Sequence, residues 1–301
     1  MYEEVKNDLR ALMKRANKSQ KQVSKETGIS SAAISQFLNG TYTGKNDEMA
    51  RRLNQYITLE ESRLNVVKTD VIYEKLHNTE NALFACTVAN KRNIMALVCG
   101  EAGAGKTTAL NLYKDRNASA VLVTANSCAK TATAALGLIC KELHLETPKN
   151  KTAMISAIVA RLKGTNRLII IDEADHLTLD ALQAVRNIND MAGVGIVLSG
   201  NNKIYQQMKS PRNGGSFDQI RTRIIVRKYM DNIFTVEEMS NIFPNLDAAC
   251  IGTMIKIAEA ESLRTAKQLY GIAEEFSAIR NEPLTVQKLQ SVQRQMIGDV
   301  I

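Results

Sequence analysis

The chain has 301 residues, 45% of them hydrophobic and 23% charged, a stock that excludes a wholly disordered protein and suits one large α/β domain with one or two small ones. No stretch approaches the roughly 18 consecutive apolar residues of a membrane span. The N-terminal MYEEVKNDLRALMKR has no apolar signal-peptide core, so a cytoplasmic protein with no membrane partner is expected. The net charge of +8 is carried by the first two thirds, and residues 229–301 are net acidic. A basic body of this kind points to a polyanionic partner, most simply nucleic acid. With no tryptophan and only 5% aromatic residues, base stacking on aromatic platforms is not expected to dominate. Cys86, Cys99, Cys128, Cys140 and Cys250 form no CxxC pair and the three histidines stand far apart. Neither zinc ligation nor a disulfide framework is indicated, and buried reduced thiols are the expectation.

In chain order, the first 60 residues read as short helices broken by polar turns. Ser19 to Thr27 is helical, Gly28-Ile29-Ser30 breaks the pattern, and Ser31 to Leu38 resumes it. Val23, Ile29, Ile34, Phe37 and Leu38 are spaced to bury one face of a small bundle. The charged stretch from Leu59 to Asn65 is expected to begin a linker. From about Val66 to Lys228 the pattern becomes strand, loop, helix. Strands are expected at Met95–Cys99, Val121–Thr124, Leu168–Ile171, Ile196–Ser199 and Ile224–Val226. Helices are expected at Lys106–Arg116, Thr131–Leu143, Thr152–Lys163 and Asp180–Met191. Short apolar strands alternating with helices imply a parallel sheet covered on both faces. Beyond Tyr229 the sequence reads as helical only, near Ala248–Glu261, Thr265–Arg280 and Thr285–Ile297, punctuated by Pro244 and Pro283.

The run Gly100, Glu101, Ala102, Gly103, Ala104, Gly105, Lys106, Thr107, Thr108 contains the Walker A pattern G-x4-G-K-T, after an apolar strand and before a helix. Its glycines let the backbone turn tightly so that N–H groups face phosphates, and the new helix adds its positive end. Lys106 is placed to reach the β- and γ-phosphates of ATP, and Thr107 to bind Mg²⁺. The segment Leu168 to Glu173 supplies the matching half. Asp172 closes an apolar strand and would hold hydrated Mg²⁺, while Glu173 would polarise the attacking water. A third strand ending at Asn201 offers a second orienter of that water. Asp172-Glu173-Ala174-Asp175 also spells the box of an RNA-helicase family. Such helicases need two tandem phosphate-loop domains, and one domain of this size excludes that reading.

Walker A, Walker B with Glu173, a strand ending in Asn201 and a helical C-terminal lid together resemble the AAA+ ATPase superfamily. The resemblance implies two further catalytic residues. Arg223, with Arg221 as its rival, precedes the fifth strand where the superfamily carries its trans-acting finger, and Arg264 opens the lid's sensor-2 helix. The VCG-x4-GKT, IIDEADHL and GIVLSGN-x3-Y segments behind a helix-turn-helix are similar to the phage Mu transposition protein B family, from about residue 17 to about residue 270. That resemblance implies an ATP-dependent, largely sequence-independent DNA-binding ATPase of the bacterial host cytoplasm. Its partners would be double-stranded target DNA, a transposase and further copies of itself in a helical filament. The basic segment from Lys203 to Lys228, with Asp218 its one acid, and the pair Lys149 and Lys151 are compatible with DNA contact. In the helix-turn-helix, Ser31, Ser35 and Gln36 are the candidate contacts. That helix has no Lys or Arg and only Gln36 could pair with adenine, so weak sequence preference is expected. Three parts follow: residues 1–62 a helix-turn-helix domain, 63–228 the ATPase core, 229–301 the lid. A helicase-loader ATPase and a transcription regulator with a fixed operator are the competing functions.

Overall fold

A computed structural model describes residues 2–65, 73–209 and 217–298, and the chain divides into two compact units, Met1–Asp70 and Val71–Ile301. In the first unit, α1 (Tyr2–Arg15), α2 (Gln20–Thr27), α3 (Ser31–Leu38) and α4 (Asn46–Asn65) close around Leu9, Leu12, Val23, Ile34, Phe37 and Leu53. Each helix of the central pair has a local reason to start: Ser19 accepts the Gln22 amide and Ser30 accepts the Ala33 amide. Gly28 ends α2 at φ +69°, a left-handed conformation that costs glycine nothing. Ile29, Ile34, Phe37 and Leu38 are buried as their spacing predicts, while Ser31 and Gln36 are exposed and Ser35 is half-buried.

The stretch from Leu59 to Asn65 is not a linker. It forms the last turns of α4, because Glu60 and Glu61 are good helix formers with cations to meet: Lys18 bonds Glu60, and Arg15 lies 3.5 Å from Glu61. Lys18 also bonds Glu26 at 2.6 Å, and Tyr56 donates to the same carboxylate at 2.6 Å, so one polar knot ties α2 to α4.

The second unit holds five parallel strands among the described residues, β1 (Met95–Gly100), β2 (Ala120–Thr124), β3 (Leu168–Asp172), β4 (Gly195–Asn201) and β5 (Ile224–Met230), in the order β2-β3-β4-β1-β5. The period of two sorts the strands onto two faces. Ala96, Val98, Ile170 and Val197 pack against α5 (His77–Arg92) and α6 (Lys106–Arg116). Met95, Leu97, Ile169, Ile171 and Leu198 pack against α7 (Ala132–Glu142), α8 (Lys151–Leu162) and α9 (Leu179–Ala192). Every strand foreseen from the sequence is present, and each is longer than foreseen. β4 runs on to Asn201 and β5 to Met230 because the ladder with β1 pairs Gly100 with both Asn201 and Met230. α5 carries no strong apolar stripe; its buried side chains are Asn78, Thr79 and the small apolar Ala82, Ala85, Cys86 and Ala89.

Two short helices, α10 (Asn202–Lys209) and α11 (Asp218–Arg221), flank residues 210–216, so Arg212 of the expected basic segment lies outside the described residues. The C-terminal helices α12 (Val236–Ile242), α13 (Ala248–Ala260), α14 (Leu263–Arg280) and α15 (Val286–Ile297) share a core of Met239, Ile242, Phe243, Met254, Ile257, Leu269 and Leu289. Pro244 and Pro283 lie between them, as expected. Of the cysteines, Cys86, Cys99, Cys140 and Cys250 are buried; Cys128 departs from the expectation and is exposed in the loop after β2. No described helix is long and apolar enough to cross a membrane.

Hydrogen bonds from Lys18, Tyr56 and Gln22 hold the Glu26 carboxyl down at about 2. An unfolded glutamate titrates near 4.3, so the stability this group contributes is complete above that value and is lost as pH falls toward 2. Acid unfolding followed by circular dichroism should therefore show a step in this window in the wild type, diminished in Glu26→Gln.

Candidate nucleotide site

The parallel topology brings the C-terminal ends of β1, β3 and β4 together, and the candidate residues sit there. Asp172 is 1% exposed at the end of β3. Thr107 Oγ1 donates to its Oδ2 at 2.6 Å, while Ser199 Oγ and the Glu173 amide donate to its Oδ1 at 2.9 and 3.0 Å. One carboxylate thus joins the first turn of α6, the end of β3 and the end of β4. Glu173 itself is exposed and adopts φ +55°, a strained conformation for a residue with a side chain, which turns the chain sharply off the strand.

The glycine-rich loop is walled in by the segment after β5. A Cβ on Gly100 would stand 1.9 Å from the Met230 carbonyl oxygen, so no other residue fits this approach. The Glu101 amide donates to that same carbonyl at 2.9 Å, and the Glu101 carboxylate accepts the Asn232 amide at 3.2 Å. Asn232 Nδ2 donates to Ala102 O, and Asn78 Nδ2 donates to Asp231 O at 2.7 Å. Gly105, at φ +94°, opens α6. Lys106 Nζ donates to Gly100 O at 3.1 Å and Glu101 O at 2.6 Å. Burial lowers its pKa, opposed by the negative charges of Asp172, Glu173 and Asp175.

A cavity of about 430 Å³ gathers most of the expected residues. Ala102, Gly103, Gly105, Lys106, Thr107 and Thr108 of the loop, Glu173, Asn201 and Arg264 all line it. Asn201 is held by a residue the sequence reading passed over. Asp175 Oδ1 accepts the Asn201 amide at 3.0 Å and its Oδ2 accepts Asn201 Nδ2 at 2.6 Å, while Asn201 Oδ1 accepts the Lys203 amide at 2.8 Å. Tyr73, Leu263, Lys267 and Gln268 complete the lining. Their signal was available in part: Lys267 and Gln268 stand three and four positions after Arg264, on the same helical face.

The arginines before β5 are not in this cavity. Arg223 is exposed and faces Asp190 through Nε at 3.0 Å and a terminal nitrogen at 3.5 Å; Arg221 is bound to Asp218. Of the candidate DNA contacts, Lys149 and Lys203 are exposed, and Lys151 is engaged by Asp180 at 2.9 Å.

Comparison with known proteins agrees with this architecture. An AAA domain model matches residues 90–208 and a helix-turn-helix model residues 9–62. The chain is 28% identical over 225 residues to the ATP-dependent target DNA activator B of Escherichia phage Mu, covering 74% of this chain and 72% of that protein. It is 30% identical over 204 residues to the Mu-like prophage FluMu DNA transposition protein B of Haemophilus influenzae, covering 67% of this chain and 71% of that protein.

Asp175→Ala leaves the Asn201 amide and side chain without their acceptor, and should cost about 1–3 kcal/mol in denaturant unfolding. Hydrogen exchange at the Asn201 amide should accelerate in that variant, with exchange in α13 unchanged.

Proposed function

The chain belongs to the transposition protein B family of phage Mu and the Mu-like prophages, and from that premise we propose that it is an ATP-dependent, largely sequence-independent DNA-binding ATPase. It captures target DNA in the bacterial host cytoplasm, delivers it to a transposase and activates strand transfer. The observation that carries this reading is the convergence of Lys106, Thr107, Glu173, Asn201 and Arg264 on one cavity. Its working parts are a helix-turn-helix domain (residues 1–62), an ATPase core (63–228) and a C-terminal lid (229–301).

The roles follow from the chemistry of each group. The backbone N–H groups of Gly103 to Thr108 and the start of α6 meet the phosphates of ATP, and Lys106 neutralises the terminal ones. Thr107 Oγ1 and the Asp172 carboxylate, hard oxygens 2.6 Å apart, suit a hydrated Mg²⁺ and would hold it. Bound there, the ion supplies screening of phosphate charge. Glu173, exposed at the cavity wall, accepts a proton from the attacking water. Asn201, clamped by Asp175, orients that water. Arg264 reaches the phosphates from the C-terminal helices. Arg223 serves a neighbouring copy across a filament interface, as suits an exposed guanidinium outside its own cavity. DNA phosphates are met by Lys149, Lys151 and Lys203 and the duplex by Ser31, Ser35 and Gln36 of α3, contacts that carry charge and shape but little base reading.

Glu173→Gln keeps the shape of the side chain and loses the proton acceptor. Hydrolysis should fall at least about a hundredfold, with ATP binding retained and DNA complexes longer-lived in a filter or shift assay; undiminished turnover would remove Glu173 from the mechanism.

DNA affinity in the presence of ATP should fall steeply between 50 and 200 mM salt, on the order of the thousandfold seen for several phosphate contacts, and vary little with sequence. Lys106→Ala should lose the ATP-dependent part of that affinity. Protection of a single short site by footprinting would favour a transcription regulator instead.

A further inference from the structure

The chain on either side of Arg223 is fixed by the core. Ile220 and Ile224 are buried with Met95, Leu97, Val185 and Ile188 on one face of the sheet. The Arg223 amide donates to Ile220 O at 3.0 Å, and Arg227 Nη2 donates to Arg221 O at 3.1 Å and to Ile224 O at 3.2 Å. With its backbone held, the freedom left to Arg223 is that of a long side chain, whose rotamers cost entropy to order.

Arg221 and Arg223 are engaged differently. Arg221 turns back on Asp218 of its own short helix, with Nε at 3.2 Å and Nη2 at 3.0 Å from the single oxygen Oδ1. Arg223 crosses to α9, where Asp190 Oδ1 accepts Nε at 3.0 Å and Asp190 Oδ2 accepts Nη2 at 3.5 Å. Two oxygens along one edge fix the plane of a guanidinium. Among the described residues nothing bonds the third nitrogen, Nη1, on a side chain half exposed to solvent. Asp190 is itself held. The buried Asn189 beside it donates to Asn93 O at 3.1 Å and Val194 O at 2.7 Å, which ties the end of α9 to the starts of β1 and β4. Arg186, one turn earlier on α9, brings Nη1 to 3.5 Å from Asp190 Oδ2. One carboxylate thus serves two guanidiniums, one on its own helix and one reaching across to it.

We propose that Asp190 is a positioning residue for hydrolysis on a neighbouring copy: it grips Arg223 by the Nε edge and leaves Nη1 to meet the terminal phosphate bound there. This rests on the reading of Arg223 as the arginine supplied across an interface between copies. An ion pair this exposed adds little to stability, so its consequence is geometric. Ordering the guanidinium before two copies meet removes an entropy cost that the transition state would otherwise carry. The pair made by Arg221 gives no such reach, since both of its contacts close on its own helix. Asp190 does not line the cavity and acts through Arg223 alone.

The test measures steady-state ATP hydrolysis by the full chain on long double-stranded DNA, with assembly followed separately by sedimentation. Arg223→Ala should lose at least about a thousandfold in kcat. Asp190→Ala should lose about tenfold, short of the roughly hundredfold that a 1 Å misplacement costs. Its KM for ATP, assembled fraction and unfolding midpoint should stay unchanged. Asp190→Asn keeps the volume, should lose kcat in the same direction, and replaces the alanine variant if that one does not fold. Mixing supplies the readout that a role within one subunit would not move. Glu173→Gln in excess is dead at its own site but has Asp190 and Arg223 intact. It should raise turnover per Asp190→Ala subunit severalfold, because the well-held arginine then comes from the neighbour. Turnover that stays low while both variants share one assembly would confine Asp190 to its own subunit and overturn the proposal. Full activity in Asp190→Ala would overturn it too, as would faster hydrolysis or assembly at lower protein concentration, which would make the pair a latch. If Arg223→Ala hydrolyses like the wild type, the reading of Arg223 itself fails, and the role of Asp190 with it.

Discussion

The arrangement at the head of the sheet depends on one buried carboxylate. Asp172 has given up water and is compensated by three donors, Thr107, Ser199 and the Glu173 amide. Those donors belong to three elements that the chain order separates. A carboxylate so placed costs free energy unless every lone pair finds a partner, so it holds α6, β3 and β4 in one register. Asp175 does the same one step further out, where it takes both donors of Asn201. The site is thus built from acids that fix their neighbours, while Glu173 stays exposed at the cavity wall beside Asp175, with His176 Nε2 3.9 Å from its carboxylate.

A second constraint is close approach. Gly100 must lie against the Met230 carbonyl, and Gly103 against Ser262 at the head of α14. The first contact exists only because β5 extends beside β1 to its last residue, and the second only because Ser262 caps α14 beside the loop. Small residues therefore tie the glycine-rich loop to β5 on one side and to the C-terminal helices on the other. A nucleotide held by that loop is in touch with both, which is the physical basis on which a binding event could be felt away from the site.

The first unit follows different rules. It is small, and a domain of this size buries too little apolar surface to be more than marginally stable. Its capping serines, the left-handed Gly28 and the knot of Lys18, Glu26, Glu60 and Tyr56 supplement a core centred on Phe37 and Leu53. The exposed face of α3 carries small and polar side chains with no cation, a surface suited to lying against a duplex without reading it closely.

What the sequence determined by itself was local. Alternating strands and helices, the glycine-rich loop with its lysine, the acidic end of β3 and the serine caps are all patterns within a dozen residues, where periodicity and backbone preference act directly. Where long-range packing overrode those preferences, the reading went astray. The charged run after Leu59 continues α4, where Lys18 and Arg15 meet its glutamates, and α5 went unseen because its fully buried apolar side chains are only Ala82, Ala85, Cys86 and Ala89. The partners of the site were decided by tertiary structure alone: Asp175 for Asn201, Asn232 for the loop, Asp190 for Arg223 and Tyr73 for Lys267. Each pair joins residues far apart in the chain, brought together only when crossover connections set the strand order and β1 took its place between β4 and β5. No local pattern encodes such a meeting, because its energy is gained only after the sheet has closed.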